Sequence, residues 1–205
     1  NGGLIKGDYV HIGTANDLNN LSGTIGANSA MQLDVGSDFN NQSLTYTAND
    51  AKGASSSTRN GISRIASIYV GDGLKGQVDE KGNPLTTFIG NVGGDTTFAA
   101  GRFDNQGGSS YLDTKGDVKL NAVNVGYQSN SIGDANNYFK QGESVDVGSQ
   151  LSGTNDLIIK AGKNITGVAT QINSDNGTVG IVADGNVDFK EGRNKQNLSN
   201  ATKTI

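Results

Sequence analysis

One histidine, His11, and no cysteine leave this 205-residue chain few ways to build a nucleophile or hold a transition metal. A serine relay would need His11, yet the strand-to-helix turn that exposes such a serine, Gly-x-Ser-x-Gly, is missing. Zinc wants several nitrogen or sulfur ligands and would find one. Carboxylates are more plentiful. Asp95, Asp117 and Asp156 each stand just before a strand-like block. On adjacent strands, Asp95 and Asp117 would meet the ~5–9 Å separation that glycoside hydrolysis requires. The simpler reading makes all three solvated turn formers. The segment from Gly71 to Gly76 matches the glycine spacing of a dinucleotide loop, but Gly82 and Pro84 follow where a helix must start, so it reads as a turn. Asn173 to Gly177 lacks the ligand spacing of a calcium loop. No catalytic, cofactor-binding or metal-ligating residue is therefore assigned, and the chain reads as a non-enzyme without a cofactor.

The elements that would position any site follow from composition. Glycine fills 31 positions of 205, against ~7% in an average chain, while proline appears once. Hydrophobic residues make up 33% and the net charge is −4. That charge offers no basic footprint for nucleic acid. Low hydrophobicity suggests disorder only when joined to high net charge and few β-branched residues. Here Val, Ile and Thr recur in short alternating blocks separated by glycine, the pattern of many short strands and tight turns.

Those blocks repeat. Gly94 to Gly101, Gly116 to Val123, Asn155 to Gly162 and Gly177 to Asp184 superpose at offsets of 22, 39 and 22 residues. The alignment puts Phe98, Leu120, Ile159 and Ile181 in one column. Ala100, Ala122, Ala161 and Ala183 follow two residues on. A further apolar column holds Phe103, Val125, Ile165 and Val187. Val147 to Leu151 matches Val168 to Ile172 at an offset of 21, so each period carries at least two strands. A spacing of two is strand spacing. The 39-residue step implies one skipped or degenerate copy.

A turn of about 22 residues cannot bury enough apolar surface alone; only stacking on its neighbours makes it stable. The expected fold is all-β: a parallel β-helix, or β-solenoid, with a hairpin excursion leaving it in the first half. Residues 1–52 read as irregular coils, 53–93 as the excursion, 94–192 as regular coils and 193–205 as a polar tail. Within 53–93, strands are expected at Ile62 to Val70, Leu74 to Val78 and Leu85 to Val92. Nine or ten coils at ~4.8 Å would make a rod about 45 Å long. Asn164 and Asn186 occupy equivalent corners; stacked amides there would form a ladder, though the simpler reading is that Asn tolerates the left-handed backbone of a tight corner.

The blocks Leu157 to Ile165 and Val179 to Val187, with the linking Gly148-Ser149-Gln150-Leu151-Ser152-Gly153, resemble haemagglutinin repeats. Such repeats form the stalks of two-partner-secretion exoproteins, including filamentous haemagglutinins and contact-dependent growth-inhibition proteins. The resemblance covers about 94–190. It implies a right-handed β-helix and export through an outer-membrane secretion pore to a Gram-negative surface. It also implies a stalk role in adhesion or toxin delivery, with a host or target-cell receptor or glycan as partner. Lack of cysteine agrees with such export, and the start at Asn1 reads as an excerpt of a larger protein. The alternative is a polysaccharide-degrading or glycan-binding β-helix of the tailspike kind.

Overall fold

Apolar residues alternating with polar ones, bounded by Gly, Asn or Asp, make short strands that turn sharp corners. The computed structural model describes residues 2–203, with twenty-one strands and no helix among them. The chain runs through six successive rungs. Rung 1 is β1 (Leu4–Thr14) and β2 (Leu18–Leu21); rung 2 is β3 (Thr24–Val35) and β4 (Phe39–Gln42). Rung 3 holds β7 (Ser67–Val70), β8 (Thr86–Val92) and β9 (Thr96–Ala99). Rung 4 holds β10 (Arg102–Asn105), β11 (Ser109–Thr114) and β12 (Val118–Asn121). Rung 5 holds β15 (Gln150–Gly153), β16 (Leu157–Ala161) and β17 (Ile165–Val168). Rung 6 holds β18 (Gln171–Ser174), β19 (Val179–Ala183) and β20 (Val187–Lys190).

Strands of successive rungs pair in parallel along three ladders. The first joins the N-terminal halves of β1 and β3 to β7, β10, β15 and β18. The second joins their C-terminal halves to β8, β11, β16 and β19. The third is β2, β4, β9, β12, β17 and β20. Because β1 and β3 run unbroken through both, the first two ladders form one sheet.

Alternate residues of each ladder point inward and stack. Ile25, Ile68, Phe103 and Leu151 line the first ladder; Leu33, Leu112 and Ile159 the second; Phe39, Val118 and Ile165 the third. All are buried. Each contributes about 1.5–3 kcal/mol by leaving water. Edge-to-face ring pairs, Phe39 with Phe98 and Phe88 with Phe103, fill the middle. Inward polar groups are matched: Asn20 donates to Asn41 at 2.8 Å, and the Thr96 and Thr114 hydroxyls lie 2.7 Å apart. Among the described residues no buried side-chain polar atom lacks a partner.

The corner after the third ladder alternates. Rungs 1, 3 and 5 turn it through one left-handed residue, Ser22 (φ 53°), Ala100 (φ 46°) and Ala169 (φ 51°). After rungs 2, 4 and 6 the chain leaves the stack instead. β5 (Leu44–Lys52) and β6 (Ser55–Arg64) form one hairpin; β13 (Val123–Asp134) and β14 (Asn137–Val147) form another. β21 (Asn194–Ala201) follows rung 6. These five make an antiparallel sheet in the order β21-β14-β13-β6-β5, a fin largely exposed on both faces. Serines sew its base to the stack. The Ser22 hydroxyl donates to Arg64 O and accepts from Leu44 N. Ser149 donates to Asn121 O and accepts from Gly101 N.

These facts revise the repeat. The 22-residue offsets hold, since Leu120 pairs with Phe98 and Ile159 with Ile181. The two pairs lie on different ladders, however. Leu120 meets Gly167, and Ile159 meets Leu112. The 39-residue step is thus no skipped copy. The β13–β14 hairpin enters there and displaces the register, so alignment by alternation alone slid one ladder onto another. Val125 belongs to that hairpin, paired with Val145.

The 53–93 segment divides three ways. Its opening is the return arm β6, whereas β7 and β8 are stack strands. Residues 71–85 form a loop of turns in which Leu74 to Gly76 is not strand and Val78 bridges Pro84. Six rungs give a stack of about 25–30 Å rather than 45 Å, because the hairpins and this loop consume the remaining chain. Of the polar tail, 194–201 is β21, while 204 and 205 lie outside the described residues.

Candidate functional site

The residue before each third-ladder strand is an aspartate or asparagine in all six rungs: Asp17, Asp38, Asp95, Asp117, Asn164 and Asn186. The side-chain oxygen of each of the first five accepts the backbone N–H of its successor one rung on, at 2.8–2.9 Å. In return, the successor's carbonyl takes the N–H of the residue that follows, as Asp117 O does from Thr96 N. From Asp38 to Asn186, the backbone N–H and carbonyl of each of these corner residues are both satisfied. The Asp117 N–H is the main reason the Asp95 carboxyl sits below the usual carboxylate range, helped by the Lys119 and Lys163 charges against the cost of burial. Lys119 Nζ lies 3.5 Å from Asp95.

This settles what Asp95 and Asp117 do in the fold. They do share a position on adjacent rungs, but their oxygens hold backbone rather than face a cleft. Asp156 belongs to another corner, between the first two ladders, where it accepts from Thr178 N. Asn164 and Asn186 are equivalent corners, but the bond between them runs from the Asn186 backbone N–H to the Asn164 side-chain oxygen rather than amide to amide, and the same bond recurs through the four aspartates.

His11 lies on β1 with Nε2 2.7 Å from Asp34 Oδ2, both groups exposed. Asn91 and Gln32 donate to the same carboxylate. The Asn91 amide, then His11, lower the Asp34 carboxyl from its ordinary value. Three adjacent rungs thus converge on one acidic group whose oxygens are all engaged. Gly71 to Gly76 lies in the 71–85 loop, with Gly71 N and Gly73 N bonded to Ala27 O and Asn28 O. No helix follows, in keeping with its reading as a turn. Asn173 to Gly177 turns the corner between β18 and β19, where Ser174 accepts from Gly177 N. Among the described residues no three His, Cys, Asp or Glu side chains gather as a metal site. Of the six Asn-x-Ser/Thr acceptor sequences, Asn20 and Asn41 are buried inside the stack.

The groove that sequence reasoning missed is on the fin. Directly opposed residues on neighbouring antiparallel strands share a face. Ala48, Arg59, Tyr127 and Glu143 are so opposed in one row, as are Asp50, Ser57, Ser129 and Gln141 in the next. Tyr46, two residues before Ala48, lies on the same face. Its ring rests against Gly61, where an added Cβ would come within 2.9 Å of it. Of these, Tyr46, Ala48, Asp50, Ser57, Arg59, Tyr127 and Ser129 line a groove of about 460 Å³, with Tyr46 42% and Tyr127 40% exposed. The available signals were intervals of 57 residues between Asp38 and Asp95 and of 47 between Asp117 and Asn164 in place of 22, each marking inserted chain.

No protein-family model, curated protein or solved structure matches the chain.

Proposed function

We propose that this chain is a right-handed parallel β-helix serving as an extracellular stalk segment of a large exported Gram-negative surface protein, an adhesin or a toxin-delivery exoprotein. The observation that carries the reading is the six-rung stack bonded corner to corner, with a fin projecting from one edge. A stack of this kind transmits position along its axis, while the fin offers surface without burying it. Rungs bonded to immediate neighbours can be added one after another as a chain emerges, which suits passage through an outer-membrane pore. The absence of disulfide-forming residues removes a barrier to that passage. The haemagglutinin-repeat likeness of 94–190 adds the family to the reading.

Export and adhesion are tested together. The chain, joined to a two-partner secretion signal and produced with its pore, should be cleaved by external protease on intact cells. Beads coated with purified chain should adhere to host or sister cells. Retention inside the cell defeats the export reading, and uncoated-level adherence defeats the adhesive one. Turnover of polysaccharide by the purified chain, abolished in Asp95→Asn or Asp117→Asn, would favour a tailspike-like enzyme instead. The bonding of both carboxylates to backbone counts against that outcome.

A further inference from the structure

We infer that the fin groove at Tyr46, Arg59 and Tyr127 is a binding site for an uncharged oligosaccharide. This rests on the adhesive reading only for its biological setting; the site itself rests on chemistry. Two half-exposed phenol rings sit on one face of a hydrogen-bonded sheet, on strands separated by one other. At ~4.8 Å between strands and ~3.4 Å per residue, the two ring positions are about 12 Å apart along a diagonal. Such rings offer flat apolar faces with a polar tip, which match the C–H faces and hydroxyl rims of sugar rings.

Arg59 lies between the two rings, opposite Ala48 and Tyr127. Among the described residues the ion pairs within 4 Å use His11, Lys115, Lys119 and Lys190, and none engages the Arg59 guanidinium, whose fork of donors faces the groove's occupant. Ser57 and Ser129 add hydroxyls beside it, and Asp50 adds an acceptor. The charged side chains that line the groove, Arg59 and Asp50, cancel. A polyanion gains nothing from that balance, whereas a neutral polyhydroxyl ligand meets donors and acceptors of both kinds. The groove is open along its length, which suits a chain of sugars rather than a single one.

None of these residues holds the fold together. Tyr46, Arg59 and Tyr127 project from a fin exposed on both sides, and the buried core lies elsewhere. Substituting them therefore tests binding rather than folding.

The test is a titration of the purified chain with chitotriose, cellotriose, maltotriose and xylotriose, followed by saturation-transfer NMR and by tyrosine fluorescence. At least one trisaccharide should bind saturably. Tyr127→Ala and Tyr46→Ala should each weaken it tenfold or more, with Tyr127→Phe retaining most of the affinity. Tyr111→Ala, on an exposed ring of the second ladder, should leave it unchanged. Unaltered far-ultraviolet circular dichroism and melting temperature check that each variant is folded. Failure of all four sugars to bind at millimolar concentration overturns the inference, as does equal loss in Tyr111→Ala. Bead adherence that survives Tyr46→Ala and Tyr127→Ala overturns the groove as the adhesive site and leaves the adhesive reading standing. Sugar binding without bead adherence does the reverse.

Discussion

Every residue of β5 from Thr45 to Lys52 is exposed, whereas Leu33, Val118, Ile159 and Ile165 in the stack are sealed from solvent. Both regions repeat their strands at the same ~4.8 Å spacing. The stack is specified by what lies between its ladders: branched and aromatic side chains that must face inward, so a slip of one residue would turn them all out. The fin has no inside. Its register comes from backbone pairing across β6, β13, β14 and β21 and from two short hairpin turns. Substitution at alternate positions should therefore be costly in the stack and mostly cheap on the fin. A recognition surface can vary on the fin without cost to the fold.

The largest test of that contrast places one charge in each region. Ile159→Asp should cost at least about 5 kcal/mol, combining lost burial with an unpaired buried carboxylate. Gln141→Asp on the fin should cost within about 0.5 kcal/mol, and Lys160→Asp, facing outward beside Ile159, about as little. Urea midpoints read these values, and similar losses at 159 and 141 would erase the distinction. Next comes Asn41→Ala. Asn41 accepts from Asn20 and donates to Arg102 O inside the stack, so its loss leaves buried groups unpaired at about 1–3 kcal/mol.

Acid gives a smaller and graded effect. Asp95 and Asp34 are held below their ordinary value of 3.8 by hydrogen bonds present only in the folded chain. The unfolded chain therefore takes up protons first as pH falls. Stability from both groups is complete above about pH 5 and declines as pH drops through 3.8 toward their lower folded values. The melting temperature should be level from pH 7 to 5 and fall below 4. Asp95→Asn keeps the acceptor, as Asn164 and Asn186 show at the same corner, and should flatten part of that acid slope. An unchanged slope would mean the corner carboxylates carry no linkage. Ala169→Gly is the smallest change. It relieves a left-handed alanine and should alter stability by no more than about 1 kcal/mol, in the stabilising direction. A clear loss of melting temperature would show the corner to be fixed by the methyl group.

Much of the stack was legible because inward positions alternate with outward ones. Leu157, Ile159 and Ala161 announce a strand, and their 22-residue partners Val179, Ile181 and Ala183 a parallel ladder. Which of three ladders a block belongs to was not legible, since Phe98 and Ile159 have the same chemistry on different walls. The fin was only half visible. Leu44 to Thr47 reads as a strand, yet Ser55 to Arg64 is polar but for Gly61 and Ile62, with no buried face to impose alternation. The corner aspartates looked like turn formers, which they are. Their bonds to the next rung need the rungs already counted correctly. The groove was illegible because Tyr46 and Tyr127 lie 81 positions apart and meet only through β6.

The alternating corner has a consequence for how such a molecule changes length. Odd rungs close on themselves and even rungs send out a strand, so adding or deleting one rung would invert the parity of everything beyond it. An outgoing arm would then meet a corner built to turn, and an antiparallel pairing would be required to run parallel. Duplication or loss is conservative only in pairs, in steps of about 10 Å along the axis. The unit that evolution or a designer can copy is therefore two circuits and their hairpin, not the single 22-residue period that the sequence displays.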